Sequence, residues 1–389
     1  MGKNIVVLCD GILAGSNSRT NVYALYKELL EKKHKQHVTY INGVGNGKVP
    51  PNFIRNGAAA IILDKKIKEG YRYIVNHYNP GDDIWLFGFS NGAYIVRCIA
   101  GMIRNCGILK LDRIITPEID KRIDLAYDIY RNRDMIYHPD GSGSYDFKKS
   151  FSYPDSEKPI IKFLGLWDTV GIHGLPGYVM ESLKYLEFYD MTVSRIVNFA
   201  CQALAIHENA YLLEPYRILP NSSGTVTIKE TWFPGIHDEI GGGIGGNKRI
   251  SKATILWIIE YIVQVGGLLM YNDIETYRVR FSPDSGPSWN IRNLLFDRKN
   301  DTIPKFMLMD RIIPLELDPS KKCLRKDLLY RDGDWLIPFD TRSRLITQYA
   351  SKTYEELRKI MEKKDISLYN NIKYDKDEKE LEKSRLARL

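Results

Sequence analysis

The amino-acid sequence predicts an α/β fold with a doubly wound, mostly parallel sheet and helical insertions. Short, continuously apolar runs, such as residues 5–9 and 84–87, are typical of strands that are buried on both faces of a parallel sheet. Between them lie longer segments in which apolar residues recur at helical spacing. Strands that alternate with helices in this way form parallel sheets with right-handed crossovers.

The first half of the chain follows this alternation in order. Thr20 is suited to cap a helix after the first strand, and a second strand is predicted at residues 38–41. A long helical pattern at 58–78 then leads through the turn Pro80-Gly81-Asp82 to the strand at 84–87. The helix after that strand carries its apolar stripe on Ile95, Ile99, Met102 and Ile103.

The second half is less regular. A helical piece at 119–130 and a polar loop at 138–159 form a predicted insertion, which spans about residues 108–159. After it the sequence predicts, in order, a strand at 160–167, a helix at 193–211, a strand that ends at Trp232-Phe233, and a helix that begins near Ser251.

The composition is that of an ordinary globular protein, since 44% of the 389 residues are hydrophobic and 27% are charged. The five cysteines have no Cys-x-x-Cys spacing, which argues against a disulfide framework or a zinc site and favours a reducing compartment. The chain begins with a strand rather than a signal peptide, and no apolar segment reaches the ~20 residues that a membrane span needs. We therefore expect a cytoplasmic protein.

The formal net charge of +8 would attract a phospholipid surface or a nucleic acid only if it were concentrated on one face. The most charged stretch, residues 371–389, has six Lys or Arg against five Asp or Glu, so its net charge is only +1. We therefore predict no nucleic-acid partner. Peripheral contact with a membrane stays open as an alternative.

The pentapeptide Gly88-Phe89-Ser90-Asn91-Gly92 matches the G-x-S-x-G pattern of a nucleophile elbow. It lies between the most apolar strand and the most amphipathic helix, which is where such a turn must lie. Glycine is needed on both sides of the serine, because a Cβ there would collide with neighbouring backbone. The pattern alone could arise by chance in a glycine-rich loop, but its position predicts an α/β-hydrolase-like fold with Ser90 at a helix N-terminus.

A serine nucleophile needs a base to remove its proton and an acid to orient that base. Among the seven histidines, His173 and His237 follow strand ends, and His237 also completes the order serine, acid, histidine that this fold requires. Asp168 ends the next strand after Ser90, where a carboxylate can reach the imidazole; its alternative role is that of a turn or N-cap residue. We predict a catalytic triad of Ser90, Asp168 and His237, with the serine and the histidine on neighbouring strands.

Other polar groups are expected at the same edge of the sheet. The N–H groups of Asn91, after the nucleophile, and of Gly11, after the first strand, are the predicted oxyanion donors. Asp10 is expected to bond nearby loop backbone. Asp238 and Glu239 are too close in sequence to the histidine to orient it, so we assign them to loop positioning or to substrate contact.

Other interpretations stay open beside a serine esterase or lipase, which needs no cofactor and no metal. Asp10, Asp168, His237 and Glu239 could instead hold magnesium or calcium for phosphoester hydrolysis, because these ions prefer oxygen ligands. The fold could also be catalytically inactive and serve as an interaction module. The run at 241–246 matches G-x-G-x-x-G, but its first glycine does not end an apolar strand, which disfavours a dinucleotide site.

A set of short motifs recurs in a fixed order along residues 4–270: Asp10-Gly11, Thr20-Asn21-Val22, Gly43-Val44-Gly45, Pro80-Gly81-Asp82, the elbow with Ala93, Trp167-Asp168-Thr169-Val170, Ala203-Leu204-Ala205 with Glu208, and Phe233-Pro234-Gly235-Ile236-His237 before Gly241-Gly242-Gly243. In these motifs the chain resembles the α/β-hydrolase domain family that includes the phospholipase effectors of the bacterial type VI secretion system. The resemblance implies the same triad and the hydrolysis of fatty-acyl esters of phospholipids.

The chain departs from the pattern of that family at three places. It has Ile12 where the family has Thr, Asn91 where the family has Arg, and Asp238-Glu239 where the family has Ser-Asp. None of these changes removes a triad residue. The loss of the arginine weakens the expected attraction to an anionic head group.

These observations predict one catalytic core and one extension. The core covers residues 1–270 and includes the insertion and a lid at 171–192, whose apolar side chains would cover an acyl site. An ordinary packed helix is the alternative for that segment. Residues 271–389 form the C-terminal extension, which we expect to pack on the core and to end in the charged tail at 371–389.

Overall fold

The computed structural model describes residues 2–11, 20–29, 35–43, 58–111, 116–154, 159–171, 192–205, 208, 213, 215–219, 224–233, 235–243, 248–281, 330–331 and 334–335. The strands are β1 (Asn4–Cys9), β2 (Gln36–Ile41), β3 (Asp83–Phe89), β4 (Ile161–Trp167), β5 (Val197–Ala205), β6 (Thr227–Phe233), β7 (Tyr330–Arg331) and β8 (Asp334–Trp335). The helices are α1 (Asn21–Glu28), α2 (Ala58–His77), α3 (Asn91–Cys106), α4 (Thr116–Arg131), α5 (Ser142–Phe151), α6 (His237–Gly241), α7 (Lys248–Val265) and α8 (Ile274–Arg280).

Strands β1 to β6 form one sheet in the order β2-β1-β3-β4-β5-β6, and every neighbouring pair is parallel. The carboxyl ends of all six strands therefore lie at one edge. The strand order reverses between β1 and β3, and such a reversal opens a crevice for ligands outside the carboxyl ends. The predicted α/β-hydrolase-like sheet is confirmed, while β7 and β8 form a separate antiparallel pair.

Helices cover both faces of the sheet. Residues of α2, α3 and α4 pack in one buried cluster, and those of α1, α7 and α8 pack in the other. In β1 the side chains alternate between the two clusters, as the two-residue period of a strand requires. The predicted stripe of α3 is buried, and Oγ1 of Thr20 caps α1 by accepting the N–H of Tyr23 at 3.1 Å. Both predictions are confirmed.

The helix predicted at 193–211 is wrong over residues 197–205, which form β5. The segment is buried along almost its whole length, so its apolar run suits a buried helix and a buried strand equally well. In the sheet its side chains show the two-residue period, since Phe199, Cys201, Ala203 and Ala205 all face the same cluster. The small residues allow β5 to lie between two other strands and under packed helices.

The insertion at 108–159 contains α4, a 3-10 turn at Met135–Tyr137 and α5. The prediction of a polar loop at 138–159 is therefore wrong over the residues of α5. This helix is mostly polar because it buries only a narrow stripe, chiefly Phe147 and Ser144, whose hydroxyl donates to the carbonyl of Tyr137 at 2.8 Å. Its Gly and Ser content had favoured a loop.

Helix α8 begins the predicted C-terminal extension and lies against α7. Tyr277 is fully buried, Arg278 pairs with Glu260 at 3.2 Å, and Arg280 pairs with Glu28. Residues 172–191, which make up nearly all of the predicted lid, lie outside the described residues, as does the charged tail at 371–389. The predicted domain limits therefore stay predictions. Among the helices that the structure describes, none combines the length and the apolar character that crossing a bilayer demands.

Candidate active site

Ser90 occupies the tight turn between β3 and α3, with φ 58° and ψ −128°. Its N–H donates to the carbonyl of Trp167 on β4 at 3.0 Å, and its carbonyl accepts from the N–H of Tyr94 at 3.2 Å. A positive φ is uncommon for a residue other than glycine and clusters at functional sites. The neighbouring strand and the first turn of the helix together hold Ser90 in this conformation.

The two glycines of the elbow have no room for a side chain. A Cβ at Gly88 would lie 2.5 Å from Cα of Ala93, and a Cβ at Gly92 would lie 2.1 Å from the carbonyl oxygen of Cys9. Both distances are far shorter than a van der Waals contact. The expectation that backbone crowding excludes a side chain on either side of Ser90 is confirmed.

Asp168 and His237 form a buried hydrogen-bonded pair. Oδ2 of Asp168 lies 2.6 Å from Nδ1 of His237, and the two residues are 0% and 5% exposed. The other carboxylate oxygen, Oδ1, accepts the N–H of Ala205 at 2.9 Å. Asp168 has φ 41°, and its own N–H donates to the carbonyl of Ala203 at 2.8 Å. Its side chain thus orients an imidazole rather than capping a helix among the described residues.

The imidazole of His237 packs against Phe89, the residue that precedes Ser90. The ring centroids of Phe89 and His237 are 4.7 Å apart. A Cβ at Gly241, the last residue of α6, would lie 2.0 Å from the same phenyl ring. Helix α6 is therefore packed against Phe89, the residue directly before Ser90 in the elbow.

We expected His237 to follow a strand that neighbours β3, and this expectation is wrong. It follows β6, and both β4 and β5 lie between β3 and β6. The chain after β6 turns at Gly235, with φ 134°, and α6 folds back along the carboxyl edge of the sheet. Glycine permits this turn because it has no Cβ. The expectation of neighbouring strands is corrected, while the proximity of the imidazole to the elbow is preserved.

Asp10 and Gly11 lie at the same edge, after β1. Oδ2 of Asp10 accepts from the hydroxyls of Thr20 at 2.5 Å and Tyr40 at 2.7 Å, and Oδ1 accepts the N–H of Gly11 at 3.0 Å. Burial raises the pKa of the Asp10 carboxyl above its ordinary value, against the opposite effect of these hydrogen bonds. Asp10 thus bonds loop backbone, as expected.

Gly11 lies directly beside Ser90, since a Cβ on Gly11 would be 3.1 Å from Cβ of Ser90. Its N–H, however, already donates to Asp10. Asn91 directs its side-chain amide to the carbonyl of Val170 at 2.9 Å, and its N–H belongs to the first turn of α3, where N–H groups lack intrahelical acceptors. The assignment of Gly11 and Asn91 as oxyanion donors stays a prediction.

The two acidic residues after His237 differ in their surroundings. Glu239 is buried, and its Oε2 accepts the N–H of Ile236 at 3.0 Å, which is a loop-positioning contact. Asp238 is exposed beside Gly243. Gly241 lies in α6 and not at the end of a strand, in contrast to the first glycine of a dinucleotide-binding turn.

The other described histidines lie away from this edge. His37 is near the start of β2, where its ring lies tilted against that of His77 with the centroids 4.5 Å apart, and His138 is in the insertion. His173, the second candidate base, lies outside the described residues. Within the described ranges, no group of three or more His, Cys, Asp or Glu side chains is arranged to hold a metal ion.

Two groups at the site were not assigned a role from the sequence. Oε2 of Glu208 accepts the main-chain N–H of His237 at 3.1 Å. The amide oxygen of Gln202 accepts the N–H of Thr169, directly after Asp168, at 3.2 Å. Both residues could have been found once residues 197–205 were known to be a strand. Gln202 is a polar residue within that buried strand, and Glu208 is an acidic residue just beyond its carboxyl end.

Comparison with known proteins gives a family and one distant relative. A family model for the catalytic domain of Tle1-like phospholipase effectors of the type VI secretion system matches residues 3–261. The uncharacterized protein YEL023C of Saccharomyces cerevisiae is 29% identical over an alignment of 195 residues that covers 45% of this chain and 27% of that protein. The chain thus spans little more than a quarter of this relative.

Several solved structures align with the chain at low similarity. An uncharacterized protein from Pseudomonas aeruginosa has a TM-score of 0.41 at 16% identity, over 73% of this chain and 49% of that one. The Tle1 effector bound to the VgrG spike has a TM-score of 0.35 at 17% identity, over 64% and 51%. Esterase 2 of Thermogutta terrifontis has a TM-score of 0.32 at 12% identity, over 69% and 85%.

The family model covers the six parallel strands, the elbow and the buried Asp168–His237 pair. It spans well over half of the 389 residues. The chain therefore belongs to the Tle1-like family of type VI secretion phospholipase effector catalytic domains.

Proposed function

We propose that this protein is a serine esterase or lipase that cleaves a carboxylic ester, the acyl ester of a lipid or phospholipid, through an acyl-enzyme on Ser90. The observation that carries the proposal is the buried bond between Asp168 and His237, which lies against the residue that precedes Ser90. Membership of a family named for phospholipases supports the choice of a lipid ester.

The first step is the activation of Ser90. Because the carboxylate of Asp168 accepts the hydrogen bond, Nδ1 of His237 carries the proton and Nε2 keeps its lone pair. Nε2 removes the proton of Oγ as Oγ attacks the carbonyl carbon of the ester. The imidazolium that forms is stabilised by Asp168, and the oxyanion is stabilised by the N–H of Asn91 at the N-terminus of α3.

The remaining steps release both products. When the tetrahedral intermediate collapses, the bond to the alcohol oxygen breaks and the imidazolium donates its proton to that oxygen. This leaves the acyl group on Ser90. A water molecule, deprotonated by His237, then attacks the acyl carbon, and the proton returns to Oγ as the carboxylic acid leaves.

The contact of Asn91 bears on the substrate. Its side chain donates to the carbonyl of Val170, two residues after Asp168, and so holds the loop of the acid. Because the asparagine amide is neutral, the position after Ser90 offers no cation to an anionic head group.

A fluorophosphonate probe, which reacts with activated serines, tests the proposal. We expect the purified protein to be labelled and to hydrolyse p-nitrophenyl acyl esters and phosphatidylcholine vesicles, and Ser90→Ala to do neither. Ser194→Ala, which removes a hydroxyl away from the carboxyl edge, is the matched control. Labelling that persists in Ser90→Ala contradicts the proposal. Activity that EDTA abolishes and Ser90→Ala preserves would favour the metal-dependent alternative.

A further inference from the structure

Ala205, at the end of β5, and Glu208, three residues beyond it, each contact one member of the Asp168–His237 pair. Ala205, the last residue of β5, donates its N–H to Oδ1 of Asp168 at 2.9 Å. Three residues later, Oε2 of Glu208 accepts the main-chain N–H of His237 at 3.1 Å. Because β5 lies between β4 and β6, this short segment bridges the strand that ends in the acid and the strand that leads to the base.

Glu208 also supplies an acceptor that the start of α6 lacks. The first N–H groups of a helix have no intrahelical acceptor, and a Ser, Thr, Asp or Asn at the N-cap usually provides one. The N-cap of α6 is Ile236, which has no side-chain oxygen. Glu239 accepts the N–H of Ile236 at 3.0 Å, and Glu208 accepts that of His237. Two buried glutamates thus hold two consecutive main-chain groups.

We propose that Glu208 is a positioning residue for His237, an inference that rests on the proposed serine hydrolase function. Asp168 fixes the imidazole ring through Nδ1, and Glu208 fixes the main chain that carries the ring. With both ends of the side chain held, Nε2 is directed to Ser90. Glu208 is only 2% exposed, so water does not compete for the N–H of His237.

Gly235, two residues before His237, explains why such a contact is needed. Gly235 has φ 134°, a region that glycine enters freely, and it lies in the connection between β6 and α6. A connection of this kind does not fix the direction of the following helix by itself. The hydrogen bond from His237 to Glu208 joins the helix to the end of β5, 29 residues earlier in the chain, and so sets where the base lies.

Two conservative variants separate the hydrogen bond from the charge. Glu208→Gln keeps an oxygen at the same distance along the side chain, whereas Glu208→Asp keeps the charge but is one methylene shorter. We expect kcat for a p-nitrophenyl ester to stay within about threefold of wild type in Glu208→Gln, because an amide oxygen still accepts the N–H. We expect it to fall about ten- to a hundredfold in Glu208→Asp, with KM unchanged, because a small displacement of the base slows proton transfer.

A matched control is Glu28→Ala, which removes a buried glutamate that joins α1 to Arg280, and it should keep the wild-type kcat. Unfolding curves establish that each variant is folded. Two results would overturn the positioning role of Glu208 if Ser90→Ala is inactive. One is a wild-type kcat in Glu208→Asp, and the other is an equal loss of kcat in Glu208→Gln and Glu208→Asp. Turnover that survives Ser90→Ala overturns the proposed function instead.

Discussion

Oδ2 of Asp168 lies 2.6 Å from Nδ1 of His237, although 69 residues separate the two in the chain. Asp168 follows β4 and His237 follows β6, so the contact passes over the end of β5. It forms because α6 folds back and packs on Phe89. The order of the strands, rather than proximity in sequence, brings the acid to the base.

Asp168→Asn tests the contribution of this pair to catalysis. An amide can no longer stabilise the imidazolium and can present its NH2 to Nδ1, which favours the wrong tautomer of His237. We expect kcat to fall on the order of 10³- to 10⁴-fold. Steady-state hydrolysis of a p-nitrophenyl ester measures the effect. Asp83→Asn, at the opposite end of β3, is the control and should be fully active; a similar loss in both variants would refute a specific role of Asp168.

Gly92→Ala tests the crowding behind the nucleophile. The added Cβ would lie 2.1 Å from the carbonyl oxygen of Cys9, and this backbone has little freedom to move within the sheet. We expect the free energy of unfolding to fall by about 3 kcal/mol or more. Gly224→Ala, at φ 62° with no atom within 4 Å, should cost only the backbone strain of about 1–2 kcal/mol. Urea denaturation compares the two, and an equal cost would contradict the steric explanation.

Gln202→Met tests the buried polar network beneath Asp168. The amide of Gln202 accepts from Thr169 and donates to the carbonyl of Tyr216 at 2.9 Å and to Glu230 at 2.6 Å. Methionine has a similar size but leaves these groups without that partner, which should lower the free energy of unfolding by about 3 kcal/mol. The control Gln264→Met, on the exposed side of α7, should change it by less than about 0.5 kcal/mol. A stable Gln202→Met protein would show that the network is dispensable.

The buried cysteines should resist alkylation in the folded protein. Burial raises the pKa of the Cys98 thiol to about 11, and it also raises the pKa of Cys9 and Cys106. At pH 8, well below that pKa, about a thousandth of Cys98 is thiolate, the form that reacts. Peptide mapping after iodoacetamide treatment should find these three cysteines and Cys201 modified in urea but not in native buffer. Rapid alkylation of any of them in native buffer would contradict their burial.

The sequence predicted most of the sheet because its strands are short, continuously apolar and separated by clear turns. The elbow was also predictable, because local backbone geometry requires its two glycines and because it lies between a clear strand pattern and a clear helix pattern. The choice of His237 and Asp168 rested on chain order. The contact between them was not visible in the sequence, because it depends on how α6 folds back.

The two wrong secondary-structure predictions have separate physical causes. In β5 the run of Ala and Cys satisfies the period of a buried helix as well as that of a strand, and only the neighbouring strands decide between them. Because residues 197–205 were predicted as part of a helix, the carboxyl end of β5 could not be located from the sequence. The position of Glu208 just beyond that end was therefore not recognised. In α5, a narrow buried stripe was too weak a signal against the Gly and Ser residues around it.

The positive φ angles at Ser90 and Asp168 limit which residues could ever replace them. A β-branched side chain is strongly disfavoured in this conformation, so threonine at position 90 would supply the same hydroxyl but would strain the backbone of the turn. Cysteine is unbranched at Cβ, and asparagine tolerates left-handed backbone well. In the proposed mechanism the backbone at residue 90 is therefore compatible with a cysteine nucleophile, whereas a threonine there would strain the turn.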